Sequence, residues 1–133
     1  MTAPLRLAVR TPDGLVYEGP VAAIRAEDLD GHFGILPSRR DLAAVLPPGL
    51  LLFEDEEGDG YVALSGGVLE LTAGECRVMA PEAELARAPD EAAERLVSVR
   101  GARRSRTERR RAVFEELERE ALRRVAAALR EPS

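Results

Sequence analysis

The sequence predicts an all-β flattened sandwich or barrel at the N-terminal end, followed by a C-terminal α-helical hairpin. Three observations predict it. Short stretches of alternating apolar and polar residues recur through the first eighty or so positions, with Gly and Pro between them. The apolar period then changes from two residues to three or four. Charge shifts at the same place: residues 1–86 hold 6 Arg against 15 Asp and Glu, whereas residues 87–133 hold 13 against 9. The expected domains are a sandwich over 1–86 and a helical hairpin over 87–133.

Leu5, Leu7 and Val9 alternate with Arg6, Ala8 and Arg10, which reads as a strand with one buried face. Thr11-Pro12-Asp13-Gly14 supplies turn chemistry, with Pro presetting φ and Gly accepting a positive value. Leu15–Glu18 and Val21–Glu27 read as two short strands separated by Gly19-Pro20. Asp30-Gly31 and Gly34 punctuate the next stretch, which ends at Leu36-Pro37. Leu42–Leu46 is an apolar run stopped by Pro47-Pro48-Gly49. Leu50–Phe53 reads as a strand, and Glu54–Gly60 as a solvated acidic hairpin tip. Tyr61–Leu64, Val68–Leu71 and Arg77–Met79 complete the set, with turns at Ser65-Gly66-Gly67 and Thr72-Ala73-Gly74. Many short strands with such turns point to a sandwich or barrel.

Residues 82–99 are rich in Ala, Glu and Arg. Pro89-Asp90 can open a helix with Asp90 as its cap, and Gly101 can stop it. Ser105-Arg106-Thr107-Glu108 fits a capping box for a second helix. Phe114, Leu117, Ala121, Val125 and Ala128 form its apolar stripe, widened by Val113, Leu122 and Leu129. Glu115→Arg119 and Glu120→Arg124 have the favourable i,i+4 order.

The composition narrows the chemistry. Aromatic residues are 4% and Trp is absent, so the core must be aliphatic. No apolar run approaches the roughly 20 residues of a membrane helix, and the N-terminus has no signal-peptide pattern. A cytoplasmic protein is expected. One cysteine, Cys76, excludes an internal disulfide and multi-cysteine metal sites; it reads as a small buried strand residue. His32 is the only histidine, so Ser38 and Ser65 lack the partners of a nucleophilic triad, and no metal set forms. Glu27, Asp28 and Asp30 fall in a polar stretch suited to turn capping. Gly66-Gly67 lacks a phosphate-cradle context. No catalytic residue, metal or cofactor is expected.

The sharpest feature is a basic run of Arg100, Arg103, Arg104, Arg106, Arg109, Arg110 and Arg111, with Glu108 its only acid. It fits a solvated helix start, a nucleic-acid footprint or a docking site for an acidic protein. The net charge of −5 and the few aromatics weigh against nucleic acid. All 19 basic residues are Arg, whose planar fork suits carboxylates.

Gly31-His32-Phe33-Gly34-Ile35-Leu36-Pro37 resembles the glycine-bracketed loop of the epsilon subunits of F-type ATP synthases. The similarity continues through Leu42–Gly49 and through Tyr61–Leu71, and covers residues 4–80 closely. The resemblance implies a flattened β-sandwich with a helical hairpin, and a non-catalytic rotor subunit on the central stalk. It implies the gamma subunit, the c-ring and the alpha/beta catalytic subunits as partners, with no nucleic acid. Membrane association would come only through the complex, on the cytoplasmic face of the cell membrane. Gly31, His32, Phe33, Gly34, Ile35, Leu36 and Pro37 would form the c-ring and gamma contact loop; an exposed loop with no partner is the other reading of His32. The Arg100–Arg111 run would meet an acidic loop of the catalytic subunits and inhibit ATP hydrolysis. Two departures stand out. Ser38-Arg39-Arg40-Asp41 looks more like the N-type rotary ATPases, and Asp90 is followed by Ala93 where ATP-binding members have Arg. A different class also fits: a free-standing sandwich whose basic helix binds an acidic protein or RNA.

Overall fold

The structure, a computed structural model, describes residues 4–130. Its strands are β1 (Leu5–Thr11), β2 (Gly14–Val21), β3 (Ala23–Asp28), β4 (Gly31–Ile35), β5 (Leu42–Leu46), β6 (Gly49–Asp55), β7 (Gly58–Leu64), β8 (Gly67–Thr72), β9 (Glu75–Met79) and β10 (Ala83–Ala86). One helix, α1 (Pro89–Arg130), follows. The first sheet has the order β2-β1-β9-β8-β5 and the second β10-β7-β6-β3-β4. β1 and β9 run parallel, and the other pairs are antiparallel.

The predicted alternation sets the core. Leu5, Leu7 and Val9 are buried between the sheets with Leu69, Leu71, Cys76 and Val78 from the first sheet. Ile24, Ile35, Leu51, Phe53, Val62 and Leu64 face them from the second. β2 touches β6 and β10 at one side, and β3 touches β5 at the other, so the sandwich is closed like a flattened barrel. Fully burying such aliphatic side chains is worth about 1.5–3 kcal/mol each, which compensates for the scarcity of aromatic rings.

The structure corrects the expected elements in five places. Gly19-Pro20 does not break the chain: β2 runs through to Val21. It is an edge strand, where the missing N–H of Pro20 is tolerated. Gly31–Ile35 is a strand rather than a loop, paired along β3. Ala83–Ala86 joins β7 as a strand instead of starting the helical part. Here tertiary pairing overrides helix propensity. Buried Ser65 helps: its N–H and hydroxyl bond to the Glu82 carbonyl at 3.1 and 3.2 Å, and the Glu82 N–H bonds to the hydroxyl at 3.0 Å.

The last two corrections concern the helix. The expected hairpin is a single helix through Gly101 and through the Ser105–Glu108 box. Gly101 has no positive φ and so makes no left-handed cap. Inside a helix it costs only about 1 kcal/mol relative to Ala, and good helix formers flank it. Asp90 is not the cap either. Pro89 takes the first helical position, where its missing N–H is harmless, and the Ala92 N–H reaches the Ala88 carbonyl at 2.9 Å. Asp90 and Glu91 instead place negative charge at the positive end of the helix dipole.

The chain divides into two compact units between Arg103 and Arg104. In the first, Ala92 and Val99 are buried and Leu96 is half-buried, one face at i, i+4 and i+7. Ala63 and Ala86 are also buried but lie outside the sandwich core. They mark the outer face of the second sheet as the surface covered by the first turns of α1. In the second unit the stripe residues Val113, Phe114, Leu117, Leu122, Val125 and Leu129 are exposed. Glu120 pairs with Arg124 at 3.5 Å, as its spacing predicts.

Candidate functional site

The Gly31–Pro37 segment is mostly an edge strand, and its period of two sorts its side chains. Phe33 and Ile35 lie opposite Ala26 and Ile24 and face the core. Ile35 is 0% exposed, so its side chain cannot serve as the surface contact that the sequence suggested. His32 and Gly34 lie opposite Glu27 and Arg25 on the outer face and are exposed. Leu36 follows at the strand end, 64% exposed, and Pro37 is half-buried. The surface thus offered is His32, Gly34 and Leu36 along an unpaired strand edge.

The departing residues after it have structural duties. Ser38 sits at φ 75°, and the Arg39 guanidinium donates to the Gly34 carbonyl at 3.3 Å. Asp41 accepts the Ala73 N–H at 3.0 Å, fastening β5 to the β8–β9 turn.

His32 and Gly34 also border a cleft of about 690 Å³ under the first turns of α1, with Arg25, Leu52, Leu96 and Arg100 among its walls. Of the predicted basic run, Arg100 lines this cleft with the β4 residues. The rest continues along α1. Within the second unit, steps of about 100° per residue put Arg104 and Arg111 on one side and Arg106, Arg109 and Arg110 on the opposite side. The positive charge therefore encircles the helix instead of forming one flat patch. Among the described residues no His/Cys/Asp/Glu group could hold a metal. Cys76 is buried, and burial pushes its thiol up to about 12, far from a reactive thiolate.

Sequence reasoning missed a polar box at the closed side of the sandwich. Asp55, expected in a solvated hairpin tip, instead joins β2, the β6–β7 hairpin and the segment entering α1. The Tyr17 hydroxyl donates to its Oδ2 at 2.7 Å. Arg87 clasps both carboxylate oxygens at 2.9 Å and reaches Glu57 at 3.3 Å. The Phe53 ring lies beneath them, 4.3 Å from the Tyr17 ring and 5.4 Å from the Arg87 guanidinium carbon. The two Arg87 bonds, helped by Tyr17, hold the Asp55 carboxyl well below the usual range. Burial, then the Asp55 bond, pushes the Tyr17 hydroxyl up to about 12, and the same carboxylate raises Arg87. One signal is present in the sequence. Asp55 continues the inward alternation of Leu51 and Phe53, so it points to the closed edge and not to water. The box has no nucleophile and no open substrate position. Its effect is to fix where the chain leaves the sandwich, two residues before Pro89.

Residues 4–86 match the family described as ATP synthase, delta/epsilon chain, beta-sandwich domain. An ATP synthase epsilon chain 2 of Cereibacter sphaeroides is 43% identical over 90 residues, spanning 62% of this chain and 62% of that protein. An ATP synthase epsilon chain of Alkalihalophilus pseudofirmus is 36% identical over 86 residues, 65% of each. The matched region is thus less than two thirds of either relative's length. Among solved structures, a chain of the Euglena gracilis mitochondrial ATP synthase, in an assembly of OSCP, F1 and c-ring, superposes with a TM-score of 0.59. That likeness is 25% identical and covers 76% of this chain and 66% of the other.

Proposed function

This chain belongs to the ATP synthase delta/epsilon family, and from that premise we propose that it is the epsilon subunit of a rotary ATP synthase, a non-catalytic part of the central stalk. The observation that carries the reading is the family match over the whole sandwich, 4–86, with β4 as its exposed edge. The likeness to a chain solved together with F1 and a c-ring supports the same assignment. In this role the closed sandwich is a rigid coupling piece between gamma and the c-ring. Two sheets that share one core and touch at both sides resist the sliding of one over the other. His32, Gly34 and Leu36 form the c-ring contact, with Phe33 and Ile35 anchoring the strand in the core. No described helix is long and apolar enough to cross a membrane. In the proposed role the subunit is peripheral and attaches through its partners.

The helix adds regulation. Its arginines meet carboxylates of the alpha/beta catalytic subunits and restrain ATP hydrolysis, through pairs that salt weakens. Replacing Arg103, Arg104, Arg109 and Arg110 by Ala in the reconstituted complex raises ATPase activity; an unchanged rate removes the inhibitory role and leaves the rotor role standing. The rotor contact has its own test. A cysteine at Leu36 forms a disulfide with a cysteine in the polar loop of the c subunit, whereas one at Glu70, on the other sheet, does not. Equal yields at the two positions overturn the β4 contact.

A further inference from the structure

In the second unit of α1 the apolar stripe lies in water. Phe114 is 68% exposed, Leu117 65% and Val125 58%, and Ala121 and Ala128 are exposed beside them. At about 100° per residue, all five positions fall within about 40° of Ala121 around the helix axis. A continuous line of this kind differs from the singly scattered apolar residues of an ordinary surface.

The stripe is complementary to itself. Turned about a two-fold axis at Ala121, a second copy runs antiparallel, and every contact is made twice. Phe114 of each copy then meets Ala128 of the other, a large side chain against a small one. Leu117 packs beside Val125, and the two Ala121 residues face each other. Small residues at the centre allow the axes to approach to about 8 Å, the close end of helix packing. A parallel pair sets Phe114 against Phe114 and Ala128 against Ala128, crowded at one end and hollow at the other. The flank agrees in charge as well. Arg124 lies about 60° to one side of the stripe and Glu120 about 100° to the same side. In the antiparallel pair, Arg124 of one copy stands within about 3 Å of rise of Glu120 of the other. Within one chain Glu120 already reaches Arg124 at 3.5 Å and Arg123 at 3.6 Å. A carboxylate has about four acceptor positions, so a guanidinium of the second copy joins this network without displacing the first.

We propose that the free chain pairs with a second copy of itself through this stripe, antiparallel and centred on Ala121. The inference rests on α1 alone and does not depend on the rotor assignment. The stretch Val113–Leu129 rises about 24 Å, so the seam is short and the pair is of the weak, transient class, dissociating on the order of 10 μM. Sedimentation equilibrium of the purified full chain is expected to show monomer and dimer exchanging in that range. Ala121→Glu keeps a good helix former, so far-UV circular dichroism is unchanged, but it brings two carboxylates together at the axis. The dissociation constant rises by roughly tenfold or more. Oxidation with copper phenanthroline reads the register. Ala121→Cys yields a disulfide-linked dimer, because the two positions face each other within disulfide reach. Ala128→Cys does not, because its two thiols lie about 21 Å apart along the pair. Cys76 is buried and stays out of the reaction. A chain that is monomeric at roughly fifty times the expected constant overturns the pairing. So does a dimer that Ala121→Glu leaves intact, or one that links as readily through position 128 as through position 121.

Discussion

A methyl group on Gly60 has nowhere to go. Gly60 is buried opposite Phe53 in the β6–β7 pairing, and a Cβ built there overlaps the Phe53 ring. Phe53 is 2% exposed and wedged against Tyr17, so it cannot swing into solvent. Backbone strain is not involved, since Gly60 is absent from the positive-φ positions. The sign of the Gly60→Ala effect is therefore diagnostic. Without the clash, Ala would stabilise by about 0.4–1 kcal/mol by restricting the unfolded chain. With it, overpacking costs about 1–3 kcal/mol. The expected result is a net loss of about 1–2 kcal/mol, read by urea denaturation with far-UV circular dichroism. For a domain of this size that lowers Tm by at least about 4 °C. Adding Phe53→Leu relieves the overlap, so the double variant is more stable than the sum of the single losses predicts. A neutral or stabilising Gly60→Ala would refute the packing that supports the polar box.

Three further outcomes follow from the same geometry. Asp55 has a depressed folded-state pKa, so its stabilising contribution is complete above the unfolded carboxylate value near 3.8 and fades as pH falls below it; Asp55→Asn flattens the acid limb of the stability curve between about pH 5 and 2, measured by urea midpoint at each pH. Arg87→Ala removes the clasp at the entry to α1, and hydrogen exchange in residues 89–100 speeds up by roughly tenfold or more, while β1 and β9 keep their protection. Cys76, with its thiol pushed up to about 12, reacts with a thiol reagent only as fast as the sandwich unfolds, so Leu7→Ala, which costs about 2–5 kcal/mol, accelerates the labelling.

Alternation makes most of the sandwich legible from the amino-acid sequence. Leu5, Leu7 and Val9 or Leu69 and Leu71 have one possible face once the period of two is seen. The differences arise where the sequence speaks locally and the fold decides globally. Ala83–Ala86 has a helix former's composition, and only the vacant edge of β7 and the Ser65 bonds to Glu82 make it a strand. Gly101 looks like a stop, but a stop needs a left-handed backbone that nothing nearby enforces. Family resemblance picks out the β4 residues, yet their division into an inward pair and an outward pair needs the register with β3. The Asp55 box joins positions 17, 55 and 87, which local patterns do not connect.

The central claim is tested most directly by purifying the tagged chain from native membranes and identifying the proteins that accompany it by mass spectrometry. An epsilon subunit brings gamma, the alpha/beta catalytic subunits and the c-ring in fixed proportion, and the sequences of those chains assign the complex to the F-type or N-type. Recovery of the chain alone, or with RNA and unrelated acidic proteins, would contradict the rotor assignment and favour a sandwich with a basic helix acting by itself.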